Sequence, residues 1–323
     1  MKKNNVSPKI YLDADRQIEK LRNDGLHIPD EKHAKRRLKW EGYYNFAVGY
    51  NRLFKDGQKR YLPGVEFAHV EALFDFDKRL REIVYEATQQ VELNLKAILS
   101  DEFSARYGVD ERLYLREENF TSAPQDQAKV RWIIGTCRAA LKDACEVGSA
   151  AYRDYIAYYD KTYRHVPFWA LIRMLTFGNT SKFLRLLKPD DGREVAKEYG
   201  VPYAVLCNLM ELVVCFRNIA AHGERVYCTH LPHVRLSKEL PVLPSLRLPQ
   251  RQDGAPRYGM NDCLALFVAL KYLLPKTAFE GYFRELKQAV ELLEKQLPDF
   301  AYQRALHEMG LQGEWKCLDQ MKK

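Results

Sequence analysis

The 323-residue sequence has no C-x-x-C pair. Its seven cysteines are scattered and odd in number, which excludes a zinc ribbon or a thioredoxin-like dithiol and reads as reduced thiols packed as small hydrophobes. Cys228, His230 and His233 lie close together, but in a proline-containing stretch with no second ligand pair, so a loop is expected there and no metal site. Long apolar runs are missing as well. Charges interrupt each one, so no membrane-spanning helix is expected. Met1-Lys2-Lys3-Asn4-Asn5 is basic but lacks the apolar core of a signal peptide. A cytoplasmic protein with no membrane partner is the expectation. Nothing matches a P-loop, a dinucleotide-binding loop or a serine-nucleophile elbow, and no cofactor is expected. There is no internal repeat and no low-complexity tract.

What is present is an ordinary globular balance, 46% hydrophobic and 29% charged, with 51 Lys and Arg against 43 Asp and Glu. The net charge of +8 is compatible with a polyanionic partner. The patterning is helical almost throughout. Between Val65 and Tyr107 there is neither proline nor glycine, and apolar residues from Val70 to Leu99 recur at helical spacing, which predicts one helix roughly 60 Å long. Before it, Asp13–Asn23 and a segment opened by Pro29-Asp30 read as short helices, and Pro63-Gly64 closes an N-terminal helical region of residues 1–64. Residues 65–323 read as a second helical domain. Helices are expected near 125–145, 150–161, 168–177, 180–187, 193–199, 202–222, 260–273 and 276–297. Residues 224–258 hold five prolines and read as an irregular insertion with room for a short strand or two. The fold class is therefore all-α, a multi-helix bundle.

The chemistry concentrates in Arg217-Asn218-Ile219-Ala220-Ala221-His222, a permanent cation, an amide and a titratable imidazole within six residues at the end of a greasy segment. Pro202 suits the start of that helix and Gly223 the position just past its end. Val205, Leu206, Leu209, Leu212, Val213, Phe216 and Ala220 share one apolar face. Asn218 and His222, four apart, are neighbours on the opposite face, with Glu211 two turns earlier on the same side. Arg217 stands about 140° around the axis from His222. One regular helix does not aim both at one phosphate. A distorted last turn, a long reach by Arg217 or a second copy of the helix resolves this, and a symmetric dimer is the most economical of the three. The bland alternative is a set of polar side chains satisfying the carbonyls and dipole of a helix end.

Arg217-Asn218-x-x-x-His222 resembles the Arg-x(4–6)-His signature of HEPN ribonucleases. The chain is also similar to the Abi family of bacterial abortive-infection proteins over nearly its whole length. The likeness is carried by Tyr43-Tyr44 with Gly49-Tyr50, Pro63-Gly64-Val65-Glu66-Phe67, Phe76-Asp77-Lys78-Arg79-Leu80-Arg81, Val91-Glu92-Leu93, Pro167-Phe168-Trp169, a Phe177-Gly178-Asn179-Thr180-Ser181 turn, the motif with Arg225 and Tyr227, and Met309-Gly310-Leu311 with Trp315. The resemblance implies a HEPN-like fold and a toxin-like, metal-independent endoribonuclease of anti-phage defence. It also implies single-stranded RNA as substrate, a homodimer, and control by a small non-coding RNA. Glu224 stands where one subgroup carries a modified tyrosine, so that modification is not expected here.

The roles that follow are Arg217 on the non-bridging phosphate oxygens, His222 as general base on the 2′-OH or general acid toward the 5′-oxygen, and Asn218 orienting His222 or the RNA backbone. Glu92, Glu211 and Tyr227 are candidates for site support. Lys32, Lys35, Arg36, Arg37 and Lys39, with Trp40, Tyr43 and Tyr44 beside them, and Arg225, are candidates for RNA contact. The rival readings are a non-catalytic RNA-binding dimer and a phage-sensing adaptor.

Overall fold

In a computed structural model, residues 11–323 are described; the basic Met1–Asn5 stretch lies outside them. Fourteen α-helices and several short 3-10 turns make up the described chain, and no strand occurs there, only isolated bridges. The all-α expectation holds. The protein forms two compact units. One comprises residues up to Leu80 with Leu286–His307, the other Arg81–Glu285 with Glu308–Lys323.

The first unit begins with α1 (Ala14–Asn23) and α2 (Glu31–Glu41). Asp13 and Asp30 cap them, each side chain accepting the backbone N–H three residues on at 2.9 Å. Tyr44–Val48 makes a single π-helical turn. α3 (Phe67–Tyr107) is the long helix, 41 residues without a break, and its N-terminal part belongs to this unit. There the buried Asp77 carboxylate accepts the Tyr50 hydroxyl at 2.6 Å, and Phe74 packs against Phe46 and Tyr50.

The second unit takes the rest of α3 and adds α4 (Glu111–Tyr114), α5 (Gln127–Cys145), α6 (Asp154–Tyr163), α7 (Phe168–Leu171), α8 (Phe177–Arg185), α9 (Pro189–Lys197), α10 (Tyr203–Ala221), α11 (Val242–Ser245) and α12 (Cys263–Leu273). α13 (Lys276–Gln296) then runs from this unit into the first, where α14 (Asp299–Met309) follows. All eleven residues of α12 are buried, which fits a helix apolar on nearly every side, with Lys271 the one charged residue among them. Phe103 of α3 gathers Tyr114, Phe120, Phe168 and Phe183 into one aromatic cluster, with ring centroids 4.9–6.3 Å from its own. α10 packs on α8, α9 and α12.

Three expectations are corrected. Phe177-Gly178-Asn179-Thr180-Ser181 is no turn but the opening of α8, because the Thr176 hydroxyl caps it and accepts from the Asn179 N–H at 3.2 Å. The insertion 224–258 holds no strand; its ordered piece is α11, with one bridge between Gln250 and Pro256. Prolines remove the N–H donors a ladder needs, and the segment is pinned instead by Asn208 of α10, which donates to the Arg235 carbonyl and accepts from the Ser237 N–H, both at 2.8 Å. Finally, α10 itself is long and apolar enough to cross a membrane, where no such segment was expected. Eight of its residues are buried, and the expected apolar face is among them, joined by Met210.

Candidate functional site

α10 positions the motif. Pro202 is its N-cap and His222 its C-cap, so the two ends fall within a residue of the expected bounds. The C-terminus closes as a Schellman motif. The Gly223 N–H donates to the Ala220 carbonyl at 3.2 Å and the Glu224 N–H to the Ile219 carbonyl at 3.0 Å. Gly223 has φ +71°, a left-handed conformation that suits glycine and ends the helix at this point. Val226 and Tyr227 are then buried, anchoring the chain just past the motif. Tyr227 is thus a core residue with its own internal partner, and Arg225 is exposed and also engaged within the chain.

Asn218 and His222 are both exposed, as their shared polar face requires. Among the described residues the His222 imidazole has no hydrogen-bond or ion-pair partner, so neither ring nitrogen is committed. Arg217 turns the other way. Its guanidinium lies 5.9 Å from the centre of the Tyr85 ring and 3.9 Å from a Glu92 carboxylate oxygen, both on α3. It also reaches the Asn218 side-chain oxygen at a long 3.4 Å. Glu92 is more closely held by Lys96, at 2.7 Å, and the Lys96 ammonium also donates to the Leu175 carbonyl at 2.6 Å. One carboxylate thus serves two cations. An ion pair at 3.9 Å without fork geometry is a weak tether, and the Arg217 side chain keeps 30% of its surface open. The arrangement stores a guanidinium beside the helix end without spending its charge.

Glu92 is therefore brought to the motif, through Arg217. Tyr85 and Lys96 were missed. Their signal was present, since Tyr85, Glu92 and Lys96 recur at +7 and +4 along one face of the long helix. Glu211 is not drawn to the motif; it pairs with Arg185 of α8 at 2.6 Å. Cys215, on the same face of α10 as Asn218 and His222, has its thiol pushed up by burial and then by the Glu211 charge, so it stays protonated at neutral pH and is no ready nucleophile. Among the described residues no three His, Cys, Asp or Glu side chains converge as a metal-ligand set; His230 meets the Cys228 carbonyl at 3.3 Å.

The candidates on α2 separate into two groups. Lys35 is ion-paired with Asp15 and with Glu31, and the hydrogen bonds its ammonium donates to both carboxylates raise its pKa. Arg37 pairs with Glu41, Glu71 and Asp75 while lying over the Phe46 and Phe74 rings, so both residues serve the fold of the first unit. Lys32, Arg36 and Lys39 are exposed and have no internal partner among the described residues. Beside them Trp40 is 83% and Tyr44 76% exposed, whereas Tyr43 is half-buried.

A family model described as Abi-like protein matches residues 36–228, from the middle of α2 to just past the motif, which is more than half of the chain. No curated protein and no solved structure matches it. The chain therefore belongs to the Abi-like protein family, and with it to the abortive-infection proteins of phage defence.

Proposed function

We propose that this Abi-like protein is a metal-independent endoribonuclease of the HEPN type, cutting single-stranded RNA through its 2′-OH. The observation that carries the reading is the end of α10, where an uncommitted imidazole shares a face with Asn218 one residue from a loosely tethered guanidinium. His222 moves a proton, from the 2′-OH or to the departing 5′-oxygen, and Arg217 stabilises charge on the phosphate. Asn218, joined to Arg217 by the 3.4 Å contact, orients the imidazole or the RNA backbone. The same reading has the protein acting as a cytoplasmic homodimer under the control of a small RNA.

The test is an RNA carrying one 2′-deoxy nucleotide at the cut. It is expected to resist, while the all-ribose strand leaves a 2′,3′-cyclic phosphate with or without chelator. Equal cutting of both strands, or a free 3′-hydroxyl product, overturns the reading. RNA binding without cutting by the intact protein, unchanged in His222→Ala, identifies a non-catalytic RNA-binding protein instead; no RNA binding at all identifies an adaptor.

RNA contact by the first unit rests on Lys32, Arg36 and Lys39, with Trp40 and Tyr44 as stacking surfaces. Replacing the three cations by alanine is expected to flatten the plot of log affinity against log salt by about 2, at about 0.7 per phosphate on a single strand. An unchanged slope removes α2 from the interface. Lys35→Ala, whose ammonium is already paired, is expected to leave the slope in place.

A further inference from the structure

α5, α8 and α10 enclose a cleft of about 670 Å³ in the second unit. Its α10 wall is Glu211, Val214 and Cys215. At 100° per residue Glu211, Cys215, Asn218 and His222 fall within an arc of roughly 60°, so Glu211 and Cys215 in the cleft wall lie on the helix face that ends in the imidazole. Opposite, Trp132 of α5 is 47% exposed, and the Lys182 ammonium of α8 rests over its ring at 4.5 Å. Lys129 and Arg185 also line the cleft, against the single lining carboxylate of Glu211. Arg185 is paired with that carboxylate and Lys129 with Asp126, whereas Lys182 has no carboxylate partner among the described residues.

We infer that this cleft is the base-binding subsite of the cutting centre, taking one unpaired base of the RNA strand against Trp132, with Lys182 on its phosphate. The inference rests on the reading of His222 as a cutting site and names how the strand is held there. An aliphatic groove would suit a protein helix, but here an open indole stands beside an unpaired cation and the lining charge is positive. That is the pairing that holds a nucleotide, ring on ring and ammonium on phosphate. The exchange on binding is favourable. A half-exposed cation–π contact is worth about 0.5–1 kcal/mol, a stacked base about 1–3 kcal/mol, and the displaced ammonium gains a phosphate in place of water. Glu211, fixed by Arg185 at the rim, can accept from an exocyclic amine, so a base bearing one suits the subsite better than uracil.

Two variants test this with the fold kept. Trp132→Ala removes the platform. Gly178→Leu fills the cleft: Gly178 lies in the first turn of α8 at negative φ, and a Cβ there meets nothing closer than a Val214 methyl at 3.9 Å. Both are expected to raise KM for a short single-stranded RNA about 5- to 150-fold, the range a lost stacking contact predicts, with kcat within about threefold. An RNA abasic at the nucleotide beside the cut is expected to lose affinity for the intact protein and to lose no more with Trp132→Ala. Unchanged KM in both variants, or additive losses in that cycle, overturns the subsite while leaving the cutting reading intact. Binding is also measured in a His222→Ala background. Stacking losses seen there, together with a wild-type protein that never cuts, retain the subsite and reject the nuclease. A fall in oligomeric mass with either variant, at unchanged RNA affinity per subunit, identifies the cleft as an interface between copies and overturns the proposal.

Discussion

His222→Ala is expected to lower the single-turnover rate of RNA cleavage by about 10²–10⁴-fold, the usual contribution of a positioned proton-transfer group. Arg217→Ala is expected to cost about 10²–10³-fold, as removal of one transition-state charge stabiliser does. Both proteins are expected to stay folded, which is what makes the measurement informative. The His222 side chain is exposed and unpartnered, and Gly223, not the imidazole, closes the helix. Its truncation falls among surface changes worth about 0.5 kcal/mol or less. Removing Arg217 leaves Glu92 paired with Lys96 at 2.7 Å, so no buried carboxylate is orphaned. Arg217→Lys is expected to recover only part of the activity, since an ammonium cannot offer the planar fork. Thermal melts within a few degrees of wild type together with lost cleavage support the assignment. Full activity in both alanine variants ends it.

The parts of this architecture that sequence periodicity could reach are those decided within a helix turn or two. The long helix was legible because 41 residues without proline or glycine leave little else to form, and every residue of the expected apolar stripe of α10 is buried, with Met210 added. α14 was not anticipated; its eleven residues follow directly on Pro298, and a short amphipathic stretch there reads as a tail. The start of α8 was misread because Gly178 and Asn179 carry turn chemistry, whereas the Thr176 cap decides the matter. At the site, Asn218 and His222 could be paired from spacing alone. That Arg217 would rest on α3, and that Lys35 and Arg37 would be spent on Asp15, Glu71 and Asp75, depends on partners tens of residues away, to which spacing is blind. The cleft lined by Trp132, Lys182 and Cys215 draws on three helices separated in sequence, so no local pattern marks it.

Mixing two dead subunits is expected to restore cutting. Arg217 and His222 sit about 140° apart on one helix, and Arg217 is turned onto Tyr85 and Glu92 while His222 faces solvent. In a twofold dimer a residue i of one chain meets j of the other while j meets i, so each of two sites would combine His222 from one subunit with Arg217 from its partner. In a mixed dimer of His222→Ala and Arg217→Ala chains, one site carries both lesions and the other is whole. Random reassociation makes about half the dimers mixed, with one whole site in each, so activity is expected to return to about a quarter of wild type. The double variant gives the converse readout. Reassociated with an equal amount of wild-type chain, it damages both sites of every mixed dimer, and activity is expected to fall to about a quarter of that of an all-wild-type sample. A chain that completes its own site gives neither result. The mixture of single variants then stays at the level of either alone, and the double variant lowers activity only to one half. Dimers carrying different affinity tags on the two subunits, isolated through both tags in turn and assayed for single-turnover cleavage, separate the two arrangements. An inactive mixed dimer would return Arg217 and His222 to a single chain, where the Arg217 guanidinium must leave Glu92 and swing around the helix end to reach the phosphate.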